Sequence, residues 1–165
     1  MVMQIAHLLG LVALLCVLAA AVCDLRRFEI PDGLSIAIVV LFIGYAFVTP
    51  PSVSWLSALS ALALTFAIGV LLFWLGWMGG GDAKLLPAIA LWTGLGGLPV
   101  LLMGTAIAGG VLAVVLLALR ALPVAAGSTP ESRPRVLRPG EPLPYGVAIA
   151  AGTLLWAWQQ FGSGL

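Results

Sequence analysis

The charged residues of this 165-residue chain fall in only three places. Asp24, Arg26, Arg27, Glu29 and Asp32 form the first cluster, Asp82 and Lys84 the second, and Arg120, Glu131, Arg133, Arg135, Arg138 and Glu141 the third. The stretches between them, 1–23, 33–81, 85–119 and 142–165, carry no charge. A helix that crosses a bilayer needs roughly 20 consecutive apolar residues, so each stretch is long enough for at least one crossing. A soluble domain is about one quarter charged and covers itself with that charge. At 8% charged and 62% hydrophobic, this chain has no means of doing so. A soluble globular enzyme, a nucleic-acid-binding protein and a disordered chain are thereby excluded. The expected class is an all-α polytopic membrane protein, a single domain over 1–165 with lipid around it. A net charge of +1 sets up no field for an acidic partner.

The turn signals divide the longer stretches. Thr49-Pro50-Pro51-Ser52 breaks 33–81 in the middle, and Gly94-Leu95-Gly96-Gly97-Leu98-Pro99 breaks 85–119. Six helices follow, near 3–23, 34–49, 53–75, 83–97, 99–119 and 145–162. The segments 24–33 and 120–144 hold six of the seven basic residues, and Lys84 lies at the end of the 76–84 segment. Basic loops mark the cytoplasmic side. Six crossings place every basic loop inside and both termini outside, whereas five would put an Arg-bearing loop on the wrong side. Multi-pass residence in the inner membrane is the expected location.

The remaining features are read modestly. The Pro-, Arg- and Ser-rich segment 120–144 is expected to be a mobile cytoplasmic loop, its arginines at 133, 135 and 138 serving as topology signals with lipid contact. Gly104 with Ala108, and Gly76 with Gly80, have the four-residue spacing of close helix packing. Trp55, Trp92, Trp156 and Trp158 fall near expected outer ends and Trp74 and Trp77 near an inner one, as in interfacial belts. Cys16 and Cys23 match no metal or disulfide spacing. Residues 2–6 lack the basic start of a signal peptide.

Two acids stand out. Asp24 ends the first expected span and Asp82 opens the fourth, on the same side although 58 positions separate them. An acid beside a membrane span is costly and marks a functional site by default. Two carboxylates at one depth, without a nearby histidine or cysteine, suit acid–base work on a water molecule. One takes the water's proton while the other, protonated, steadies the carbonyl oxygen and protonates the leaving amine. Two like charges about 3 Å apart cannot both ionise, which enforces that division. The plain alternatives are a helix cap for Asp82 and an interfacial charge beside Arg26 and Arg27 for Asp24. The base and the acid are not told apart: the positive end of the helix that Asp82 opens suits the base, and the negative end at Asp24 suits the acid, but Arg26 and Arg27 pull the other way. Gly79, Gly80 and Gly81 would leave bare backbone where an extended peptide could approach. Lys84 would either tune the pair or reach the headgroups.

Gly79-Gly80-Gly81-Asp82-Ala83-Lys84-Leu85-Leu86 resembles the GxGDxKLL motif of the type IV prepilin peptidases, which are membrane aspartic peptidases. Asp24 to Asp32, including Ile30-Pro31-Asp32, is similar to that family's first motif, with Asp32 where Asn is usual. Pro144-Tyr145-Gly146 resembles the segment that opens the family's last span. The resemblance implies that Asp24 and Asp82 are the catalytic pair, that Pro31, Asp32, Lys84 and the three glycines belong to the surrounding motifs, and that the substrate is a prepilin cleaved at the cytoplasmic face. It implies no metal and no cofactor. The short first loop and the lack of a CxxC pair set the chain apart from the long, N-methylating members, so methylation is not expected. The layout is similar to that of the short peptidases of tight-adherence (Flp-type) pilus systems and of archaeal flagellin processing, and the former is the expected assignment. A proton- or ion-coupled small transporter, or a non-enzymatic pilus or secretion assembly component, are the alternatives, and a weak hard-cation site on the carboxylates is a third. Oligomeric state is left open.

Overall fold

Residues 1–49, 53–121, 134–138 and 140–161 are described in a computed structural model, and all their regular structure is helical. Helices α1 (Val2–Arg27), α2 (Asp32–Val48), α3 (Trp55–Trp74), α4 (Gly80–Ala121) and α5 (Tyr145–Phe161) follow in order, with one 3₁₀ turn at Arg135–Leu137. Helices α1, α3 and α4 are long and apolar enough to cross a membrane, and α2 is a shorter apolar helix.

The first helix runs four residues past its expected end at 23. The charge cluster marks where lipid ends, and a backbone can stay helical in the headgroup region. Arg26 and Arg27 occupy the last turn, where the helix dipole favours cations. The helix stops at Phe28, which turns left-handed (φ 56°) and donates its N–H to the Asp24 carbonyl at 2.8 Å. Pro31 precedes α2, and Ser54 caps α3 by accepting from the Ser57 N–H at 3.4 Å.

The helices expected at 83–97 and 99–119 run as one element, α4, broken at Gly94 (φ 56°, ψ −175°). The break lies at the start of the glycine-rich turn, ahead of the position expected for it. At Gly94 the partner is available: Ser57 of α3 accepts the Leu95 N–H at 2.8 Å, replacing the intrahelical bond lost there. A side chain at Gly94 would bring its Cβ to 2.8 Å from Ser57 Oγ.

The interior mixes alanines with a few large aliphatic residues, while many large apolar side chains face outward. Ala20, Ala61 and Ala90 are wholly buried alongside Leu85, Ile89, Leu101 and Ile149, while Phe47, Leu56 and Trp158 are mostly exposed. In water such a surface would aggregate; in lipid it is the expected solvent face, and small residues let helices approach. Helices α4 and α5 approach closely: a Cβ on Gly104 would lie 2.9 Å from Gly152 Cα, and one on Gly152 would lie 2.6 Å from Leu101 O. Gly76 and Gly80 do not share a packing face. Gly76 sits in the α3–α4 turn at φ 75°, and Gly80 opens α4 against Phe73. Trp92 is not merely interfacial either. Its indole donates to the Ile38 carbonyl at 3.1 Å, and its ring packs with Phe42 and Tyr45, 5.7 and 5.2 Å between centroids.

Candidate active site

The end of α1 and the starts of α2, α4 and α5 meet at one end of the bundle. Asp24 projects from the last turn of α1 and is 7% exposed. Its Oδ2 accepts the Gly146 N–H at 2.7 Å, from the first turn of α5. Its backbone carbonyl is held by Phe28. Asp24 therefore ends one helix and faces the N-terminus of another, so the contrast of helix ends drawn from the sequence does not separate it from Asp82.

Asp82 is the third residue of α4, not its cap. Gly79 holds the cap position, its carbonyl accepting the Ala83 N–H at 3.1 Å. The Asp82 carboxylate lies back against Gly79, its Oδ2 3.1 Å from where a Cβ at that glycine would stand. Asp82 is 8% exposed, and its Oδ1 is buried with no hydrogen-bond partner among the described residues. Leaving a buried acceptor unpaired costs about 1–3 kcal/mol, so a purely structural role leaves Oδ1 unexplained.

Both aspartates line the same open recess of about 480 Å³, shared with Phe28, Glu29, Ile30, Asp32, Gly79, Gly80, Gly81 and Lys84. Their carboxylates are near enough to act on one another electrostatically. Ile30 crowds the position at Gly81, and Asp24, ahead of Ile30, crowds that at Gly146. A Cβ at Gly81 would meet Ile30 Cβ at 2.9 Å, and one at Gly146 would meet Asp24 Oδ2 at 2.9 Å and Ile30 Cδ1 at 3.2 Å. Gly80 lies against Phe73, and Gly79 against the Asp82 carboxylate. These glycines thus serve close packing within the chain as well as lining the recess.

Lys84 reaches neither acid of the pair in any described contact. It bonds both oxygens of Asp32, at 2.9 and 3.1 Å, and ties α4 to the first turn of α2. Both side chains are more than half exposed, so the pair adds little stability. Asp32 thereby has a concrete partner, and Pro31 sets the start of α2. Arg135 is more than a topology signal: it pairs with Glu141 at 3.2 Å and lies over the Phe28 ring at 5.0 Å. Arg133 and residues 122–132 of the expected mobile loop lie outside the described residues. Phe28, Ile30 and Gly146 all fall in segments likened to family motifs, but nothing in the sequence assigned any of them a role at this end of the bundle. Among the described residues no group of three His, Cys, Asp or Glu side chains is disposed to hold a metal.

Neither a curated protein nor a solved structure matches the chain. The profile of the type IV leader peptidase family does, over residues 11–114. That range is more than half of the chain and contains both aspartates and the glycines before Asp82. It stops short of Gly146, which the fold brings back to Asp24. The chain belongs to the type IV leader peptidase family, whose members act on prepilins.

Proposed function

We propose that this chain is an aspartic endopeptidase that removes the leader peptide of Flp-type prepilins at the cytoplasmic face of the inner membrane, with Asp24 and Asp82 as its catalytic pair. The observation that carries the reading is the shared recess: two buried carboxylates from distant parts of the chain line one opening, Asp24 held by the Gly146 N–H and Asp82 lying against Gly79. The unpartnered Oδ1 of Asp82 has lone pairs to accept a hydrogen bond from water.

In the proposed reaction, one carboxylate takes a proton as water oxygen bonds to the scissile carbonyl carbon. The other, protonated, donates to the carbonyl oxygen. The tetrahedral intermediate collapses with cleavage of the C–N bond, and the amine leaves with a proton from the pair. The substrate's apolar helix would stay in lipid while its leader junction unwinds into the recess. The topology that goes with this reading has six crossings, α4 counting as two about Gly94, both termini outside, and the recess on the arginine-rich side.

Co-expression with an Flp-type prepilin tests the proposal. The expected result is leader loss seen as a gel shift, abolished by Asp24→Ala and by Asp82→Ala and insensitive to EDTA. Full processing by either variant removes that aspartate from the mechanism, and loss of processing on EDTA treatment favours a metal reaction instead.

A further inference from the structure

The guanidinium of Arg120, at the end of α4, binds three backbone carbonyls at once. Nε and Nη2 donate to Val136 O at 3.1 and 2.9 Å, Nη1 to Glu141 O at 2.9 Å, and Nη2 to Pro142 O at 3.1 Å. The planar fork makes these four bonds from three separate nitrogens in fixed directions; a lysine ammonium has three donors on one nitrogen and cannot reproduce all four. The strand of chain it holds touches Asp24 by two routes. Downstream, Pro142 leads within four residues to Gly146, whose N–H binds the Asp24 carboxylate. Upstream, the 3₁₀ turn places Arg135 over Phe28, whose N–H binds the Asp24 carbonyl. The Arg135–Glu141 ion pair closes the loop between the two routes.

We propose that Arg120 is a positioning residue for the peptidase reaction, locking Val136, Glu141 and Pro142 in place so that Gly146 and Phe28 hold Asp24 in register with Asp82. The proposal rests on the peptidase reading above. Arg120 touches neither aspartate in any described contact, and its effect is to be exerted through the carbonyls it binds. A displacement of about 1 Å at a reacting group can cost on the order of 10²-fold in rate, so a loosened clasp shows first in turnover.

Full-length Arg120→Lys and Arg120→Gln, reconstituted in nanodiscs, are compared with the wild type on a purified Flp-type prepilin. Amide hydrogen exchange of the 140–150 segment is followed by mass spectrometry in the same samples. The expected result for both variants is kcat lowered by about tenfold or more, KM within about twofold, and faster exchange across 140–150 with exchange in α2 and α3 unchanged. Wild-type kcat in Arg120→Lys, exchange across 140–150 as slow as in the wild type, or a loss confined to KM overturns the proposal. Faster exchange throughout the protein also overturns it, because Arg120 would then be a general stability residue. If the wild-type protein itself leaves the prepilin uncut, the peptidase reading fails, and the positional claim stands or falls on exchange alone.

Discussion

The backbone N–H of Gly146 donates a 2.7 Å hydrogen bond to the carboxylate of Asp24, joining the start of the last helix to the end of the first across 122 positions. The contact is buried and leaves no room for a side chain. A methyl group at 146 would stand 2.9 Å from Asp24 Oδ2 and 3.1 Å from its Cβ. Gly146→Ala is therefore expected to push Asp24 out of place and lower kcat by about tenfold or more, while also destabilising the fold by about 1–3 kcal/mol through overpacking. Cleavage kinetics and thermal unfolding of the same preparation check both.

Folding and activity separate at Asp24 itself. The side-chain amide oxygen of an asparagine can still accept the Gly146 N–H, so Asp24→Asn keeps the contact that seats α5. Its unfolding midpoint is expected within about 3 °C of the wild type, with prepilin cleavage lowered by about 10²–10⁴-fold. A variant that melts early would show that the carboxylate's charge is part of the fold.

The Lys84–Asp32 pair is exposed on both sides. Asp32→Asn retains an oxygen for Lys84 and is expected to change stability by no more than about 1 kcal/mol, with cleavage within a few-fold of the wild type. Lys84→Glu faces Asp32 with a like charge and is expected to cost more, an excess that raised salt reduces. Unfolding curves at low and high ionic strength distinguish the two.

At the α4 break, Gly94 has a left-handed φ and lies against Ser57. Gly94→Ala is expected to cost about 1–2 kcal/mol from backbone conformation alone, plus the crowding of Ser57 Oγ. Ser57→Ala loses the partner of the Leu95 N–H, about 1 kcal/mol. The double variant is expected to cost less than the sum, since removing Oγ relieves the crowding. A double-mutant cycle by thermal unfolding measures this.

Charge and apolar run length marked out α1, α2, α3 and α5 to within a few residues and put Asp24 and Asp82 at one end of the bundle, because charge is costly to bury in lipid. They divided α4 into two helices and gave no sign of the 3₁₀ turn at Arg135–Leu137. They could not end α1 correctly, since Asp24 and Arg26 are lost from lipid before they are lost from the helix. They could not choose among Gly94, Gly96 and Gly97, because the choice depends on Ser57, 37 positions before Gly94. The role of Gly146 was equally hidden, since a glycine N–H leaves no mark in composition or periodicity. The arginines of the third cluster carried two messages at once. Their charge is counted from the sequence, but Arg120 and Arg135 also bind particular carbonyls and a particular ring, which only the folded chain brings within reach.

The Asp24–Gly146 bond has a consequence for biogenesis. Synthesis proceeds from the N-terminus, so both acids leave the ribosome well before the donor that seats the first of them. A nascent chain halted after α4 contains the whole family-matched region yet lacks the amide that orients Asp24. On the proposed reading, the pair of acids is complete only once α5 has followed α4 out of the ribosome and its first turn reaches Asp24.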